Sequence, residues 1–222
     1  MYMKNIDSVN HTKGLSVYVD DIPVTKDTLF GAVYASPIAH GIIKKINFEK
    51  AASLPGVVRI LTATDIPGIN QIGGIVKDEP LLAEDTVHFA GMPVAFILAT
   101  SDAVARHAAK LIEMDIEPLP VITDPRLAKE KNQLIVPPRT FKTGNTKEAF
   151  EQCHYVVQGT AHTNGQEHLY IETQGAYAFP VEHSGIKIYS STQGPTAVQR
   201  HTADVLGIPM HRIEVDVTRL GG

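Results

Sequence analysis

Gln193 stands where residue types and spacing favour ligand chemistry. Residues 186–189 alternate apolar and polar as a strand does, and Tyr189-Ser190-Ser191-Thr192-Gln193-Gly194-Pro195 follows directly. Gly194-Pro195 ends the ladder and opens a helix with Pro at its first position, where no N–H is required. Gln193 is thereby predicted at a strand-to-helix corner. Such a corner presents unpaired main-chain N–H groups and the positive end of a helix dipole, and a carboxamide there can donate to an oxyanion or oxo group. The same residues also make an ordinary strand–helix turn with a surface glutamine. A second group, Glu167, His168 and Glu172, lies close enough in sequence for acid/base work, although such a run is more often a hydrogen-bonded turn entering a strand. The closing run Val217-Thr218-Arg219-Leu220-Gly221-Gly222 offers two glycines, either a flexible end or the opening of a loop whose backbone approaches a ligand.

These residues need elements to hold them. After Gln193, the positions Val198, His201/Thr202, Val205 and Leu206 recur at helical spacing, with Gly207 as left-handed terminator. Residues 213–217 and 175–180 read as strands. The chain before them begins with residues 1–13, polar and aperiodic, a strap or disordered lead-in. A short strand-like piece is predicted at 14–23, a mostly buried strand at 29–35, and another at 42–48 with Ile42, Lys44, Ile46 and Phe48 on one face. A short helix at 49–54, stopped by Pro55-Gly56, leads to a β-branched strand at 57–61, making a βαβ-like unit.

Residues 64–90 are loop-rich, and so long a stretch without periodicity is more often functional or partner-facing than idle. Strands are predicted at 87–89 and 94–99. Residues 101–111 give the clearest helix, capped by Ser101, with Val104, Ala108, Leu111 and Ile112 as its buried stripe. A strand at 114–117 closes this part. Pro137-Pro138 and mixed charges suit a surface linker. Asn145 or Thr146 then caps a helix at 147–152, and 154–163 alternates as a strand with Tyr155, Val157 and Gly159 on one face.

Composition limits the function classes. At 222 residues the chain holds one large or two modest domains, and 43% hydrophobic with 20% charged residues makes it globular. A formal net charge of −4 and no Lys/Arg cluster larger than a pair argue against nucleic acid as the main partner. The longest apolar runs are of strand length, far short of a membrane span, and the N-terminus lacks a signal-peptide core, so a cytoplasmic protein is expected. The one cysteine, Cys153, cannot ligate an iron–sulfur cluster or a cysteine zinc site alone, so any electron carriers lie elsewhere. None of the ten histidines falls in an HExxH or a paired metal-ligand spacing. A dinucleotide-binding enzyme is disfavoured because no strand leads into G-x-G-x-x-G and a helix.

Several motifs, in order, carry a resemblance: Tyr18-Val19-Asp20-Asp21-Ile22-Pro23, Ala35-Ser36-Pro37-Ile38-Ala39-His40-Gly41, Leu54-Pro55-Gly56-Val57, Thr64-Asp65-Ile66-Pro67-Gly68 and Asp78-Glu79-Pro80-Leu81-Leu82-Ala83. Gly91-Met92-Pro93-Val94-Ala95, Gly165-Gln166-Glu167-His168 with Glu172, and Ser191-Thr192-Gln193 leading to Arg219-Leu220-Gly221-Gly222 complete it. Over nearly its whole length the chain resembles the molybdenum-cofactor subunit of the xanthine dehydrogenase and aldehyde oxidase family. The resemblance implies an α+β fold: residues 1–13 a strap, 14–125 an α/β hammerhead domain, 126–143 a linker, and 144–222 the beginning of an incomplete α+β molybdopterin-binding domain.

By the same resemblance, family members hydroxylate aldehydes, purines or other N-heterocycles with oxygen from water and pass electrons to Fe-S clusters and FAD on partner chains or domains. The cofactor is molybdenum-molybdopterin. Gln193 falls on the family's glutamine that hydrogen-bonds the oxo ligand, and Gly221 and Gly222 on the start of its cofactor-packing glycine loop. The family's catalytic Glu lies beyond that loop, so no catalytic residue is expected in this chain, which alone should neither hold the cofactor tightly nor turn over substrate. The C-terminal part of the molybdenum subunit is the expected partner. The loop Gly73 to Lys77 falls roughly where relatives line the substrate funnel, but Ile75 and Val76 are not aromatic, which leaves the substrate class open. The alternative is a non-catalytic hammerhead module that assembles neighbouring subunits.

Overall fold

The computed structural model describes residues 7–220, so Gly221, Gly222 and the first six residues of the expected strap lie outside the described residues. The chain divides into two units, Met1–Val121 with Leu169–Gly222, and Ile122–His168.

The first unit opens with α1 (Ser8–Lys13), where the sequence predicts an aperiodic lead-in. It is a single turn and a half, ended by Gly14 at φ 65°, a left-handed conformation that costs other residues a Cβ clash. The predicted strand at 14–23 is replaced by a 3₁₀ turn, Val19–Asp21. The Asp21 carboxylate accepts the Tyr18 N–H at 2.9 Å, so a local side-chain bond takes the donor that a ladder would need.

Two three-stranded antiparallel sheets follow. In the first, β5 (Pro93–Ala99) lies between β1 (Phe30–Ala35) and β3 (Val57–Leu61). In the second, β2 (Gly41–Asn47) lies between β4 (Thr86–Val87) and β6 (Glu113–Pro118). The short helix α2 (Glu49–Ala52) therefore joins strands of different sheets, and the predicted βαβ-like unit does not form. The regular alternation predicted for β2 also fails. A register irregularity between Ile43 and Lys45 turns Ile43 and Ile46 onto the same core and leaves Lys44 and Lys45 both exposed.

β5 is the keystone of this half. Val94 points into one cluster with Ala83, Val87 and Met92, while Ala95 and Ile97 point into another with Ala51, Ala108 and Ile112. Its near-continuous apolar sequence follows from burial of both faces. Helix α3 (Asp102–Lys110) covers one face, and Ser101 caps it by accepting the Val104 N–H at 3.3 Å, as predicted. Its fully buried positions are Ala105 and Ala108, with Ile112 just beyond, whereas Val104 and Leu111 are half-buried. Alanines let the helix lie close on the sheet.

The third sheet has β8 (Gly185–Ser190) at its centre, antiparallel to β7 (Ala176–Val181) and parallel to β9 (Ile213–Asp216). The parallel pair requires a crossover, supplied by α6 (Pro195–Leu206) with Pro at its first position and Gly207 at φ 65° after its last, both as predicted. Ile188, Ala203 and Ile213 form its core, with Val198, Leu206 and Val215 against them. The loop after β3 docks on the end of α6: Gly68 N–H donates to Val205 O and Ile69 N–H to Asp204 O, each at 2.9 Å. A Cβ on Gly68 would lie 2.1 Å from Asp204 O, so only glycine permits this approach.

The second unit contains α4 (Pro125–Glu130) and α5 (Thr146–Glu151), the latter capped by Asn145, whose side chain accepts the Glu148 N–H at 3.4 Å. The strand predicted at 154–163 is absent. Tyr155 and Val157 are 92% and 96% exposed, and no strand among the described residues pairs with this segment. Alternation makes a strand only where a neighbour supplies the ladder.

Candidate functional site

Register decides which segments meet at one end of the third sheet. Tyr189 of β8 pairs with Asp216 of β9 in parallel, so the two strands finish together and their continuations leave by the same edge. Gln193 stands four residues past Tyr189, and Arg219 three past Asp216. Ala176 of β7 pairs with Ser190, which brings the start of β7 to that edge too. Open sheets bind ligands outside the carboxyl ends of their parallel strands, where diverging connections leave a crevice.

The corner itself is tightly made. Ser191 prolongs the β7–β8 ladder, its N–H donating to Gly175 O at 3.0 Å and its Oγ accepting the Gly175 N–H at 2.7 Å. Thr192 Oγ1 accepts the Gly194 N–H at 3.0 Å, and Gly194 O accepts from Ala197 and Val198 at 2.9 and 3.1 Å. Most main-chain N–H groups of the corner are thus already used, and it is less open as an anion cradle than its sequence implies. The Gln193 side chain is exposed.

Arg219 reaches away from the corner to the N-terminal segment. Its Nη2 donates to Asp7 Oδ1 at 2.6 Å and its Nη1 to Val17 O at 3.0 Å. The guanidinium beside Asp7 holds that carboxyl below its ordinary range, first through the hydrogen bond and then through charge. Arg219 Nε is buried and has no partner among the described residues.

The suspected acid/base residues fall in different units. Glu172 lies in the first unit, where its carboxylate accepts the N–H groups of Val19 and Asp20 at 3.3 and 3.1 Å. Glu167 and His168 belong to the second unit and face one another, with Nδ1 3.4 Å from Oε1. No group of three His, Cys, Asp or Glu residues among those described can hold a metal ion. On the outer face of the sheet Lys187 bonds Glu214 at 2.8 Å, which raises its pKa, and lies 5.2 Å from the centre of the Tyr189 ring.

The donor chemistry at this edge fits an oxygen-rich, anionic group: a solvent-facing carboxamide on Gln193 and the N-terminus of the twelve-residue α6. Cys153 belongs to the second unit, just past α5, where its Sγ donates to Ala149 O.

Residues 13–120 match the family model for the aldehyde oxidase and xanthine dehydrogenase a/b hammerhead domain, and residues 127–222 match that for the molybdopterin cofactor-binding domain. The chain belongs to the aldehyde oxidase and xanthine dehydrogenase family. Aldehyde oxidase 2 of Macaca fascicularis is 38% identical over 220 residues, 98% of this chain and 16% of its own length. Xanthine dehydrogenase/oxidase of Gallus gallus is 35% identical over 219 residues, with the same shares. The chain thus spans about a sixth of the length of these curated relatives.

Among solved structures, the aldehyde oxidoreductase of Desulfovibrio gigas superposes with a TM-score of 0.83 at 25% identity, covering 96% of this chain and 26% of that one. Quinoline 2-oxidoreductase of Pseudomonas putida 86 gives 0.82 at 29%, covering 98% and 30%. The α+β architecture expected from the motifs is the fold observed, and the second family match supports molybdopterin as the cofactor class. Among the described residues no helix is long and apolar enough to cross a membrane.

The sequence reading missed the tie made by Arg219. Its only sequence signal is position, two residues ahead of the glycine pair in the matched motif.

Proposed function

We propose that this chain forms one wall of the molybdopterin site in a hydroxylase that inserts water-derived oxygen into an aldehyde, a purine or another N-heterocycle. The observation that carries the reading is the shared exit of the Gln193 corner and the Arg219 segment at the carboxyl ends of two paired parallel strands. When bound, the cofactor supplies the two-electron redox chemistry of hydroxylation. Gln193 would donate its carboxamide N–H to an oxygen of the cofactor, the N-terminus of α6 would add positive potential, and Gly221 and Gly222 carry no Cβ to obstruct a bound group.

In this reading residues 14–125 are the hammerhead domain, 126–143 the linker and 144–222 the first part of the cofactor domain. The acid/base residue comes from the C-terminal part of the molybdenum subunit, electrons leave to Fe-S clusters and FAD on partner chains or domains, and the enzyme works in the cytoplasm.

Gln193→Ala in the cofactor-loaded enzyme tests the reading. Loss of a hydrogen bond that orients a metal group slows turnover by roughly 10- to 100-fold, with the melting temperature unchanged because the side chain is exposed. Unaltered kinetics would remove Gln193 from the site.

A further inference from the structure

We propose that Arg219 is a positioning residue for the glycine pair that follows it, a strut between the end of β9 and the N-terminal segment. This rests on the reading that Gly221 and Gly222 serve the cofactor, but its observations are separate. One planar guanidinium meets two acceptors ten residues apart, Asp7 Oδ1 and Val17 O, while only 18% of the side chain is exposed. A fork of fixed geometry with both prongs engaged fixes the arginine as well as its partners.

The far end of the strut is itself anchored. Glu172, four residues before β7, binds the N–H groups of Val19 and Asp20, and the Tyr177 hydroxyl of β7 accepts the Thr25 N–H at 3.4 Å. The tie therefore runs from β7 and the segment leading into it to the end of β9: Glu172 holds Val19 and Asp20, Tyr177 holds Thr25, and Val17, two residues before Val19, is held by Arg219. Three residues past a strand can otherwise sweep a radius of about 10 Å. With Arg219 held, only Leu220 separates a fixed point from Gly221. Lysine would keep the charge pair with Asp7 but not the second, directional bond to Val17.

The test couples hydrogen exchange, read by mass spectrometry, with molybdenum content per chain in the same preparations of the cofactor-loaded enzyme, in which this chain is joined by the C-terminal part of the molybdenum subunit. Arg219→Gln is expected to speed exchange of residues 7–21 and 217–220 by about 10-fold, the mark of a local opening, to leave β8 unchanged, and to lower the molybdenum content. Arg219→Lys should fall between it and the wild type. Asp7→Asn, which leaves the arginine in place, should reproduce the effect in weaker form and covers the case in which Arg219→Gln fails to fold. Unchanged exchange at 217–220 in both Arg219→Gln and Asp7→Asn would overturn the strut. Faster exchange with undiminished molybdenum would overturn positioning. A complete wild-type subunit that takes up no molybdenum would instead sink the cofactor reading, while the exchange experiment still decides the strut.

Discussion

Ile97 and Ile213 are both buried strand residues, yet they belong to cores of different depth. Ile97 is fully enclosed between Ala51, Ala95, Ala108 and Ile112, with Tyr34, Phe48 and Leu54 packed around them. Ile213 rests on a thinner layer, Ile188 and Ala203, under the single helix α6. The sheets before residue 120 are held by apolar packing. The open end of the third sheet is held by polar ties, Arg219 to Asp7 and Val17, and Glu172 to Val19 and Asp20. Binding residues need access and a fixed position together, and directional bonds at an exposed edge supply both without burying the site.

Substitution in the two cores should separate them most. Ile97→Ala is expected to cost about 4 kcal/mol and Ile213→Ala about 2 kcal/mol, within the roughly 2–5 kcal/mol range of such cavities, because the thinner layer relaxes more. Denaturant unfolding measures both, and equal losses would break the comparison. Gly68→Ala comes next. It forces a Cβ against Asp204 O and should cost about 1–3 kcal/mol, with the loop at 66–73 becoming more open to protease. An undisturbed loop would show that its docking on α6 is looser than described.

Ser101→Ala removes the cap of α3 and should lower stability by about 1 kcal/mol, whereas Gln193→Ala should stay within about 0.5 kcal/mol. That contrast sharpens the division between a residue that holds the scaffold and one that serves a ligand. The smallest effect is on pH. Arg219 lowers the pKa of Asp7 in the folded protein, so the tie contributes stability in full above the ordinary aspartate range and loses it as pH falls through the depressed value. Protection of residues 7–17, taken relative to the intrinsic exchange of each amide, should therefore be flat near neutrality and weaken only in acid. In Asp7→Asn that acid step should vanish.

Much of the fold is legible before any coordinate. Alternation marks β7, β8 and β9 within a residue or two, Ser101 and Asn145 cap the helices they precede, and Pro195 and Gly207 bracket α6. The Gln193 corner follows from that punctuation alone. Other readings fail for identifiable reasons. The alternation of β2 is broken by an irregularity that answers to β6, and the alternating residues 154–163 find no neighbour with which to pair.

What the sequence by itself determined is local: helix periods, caps, terminators and the strand-to-helix turn, each set by residues within about four positions of one another. Only the tertiary structure decided which strands share a sheet, that Glu172 serves the amides of Val19 and Asp20, and that Arg219 answers to Asp7. Those partners lie 153, 152 and 212 positions away along the chain. Nothing in a side chain's own neighbourhood specifies an acceptor so distant, because the packed sheet creates that proximity.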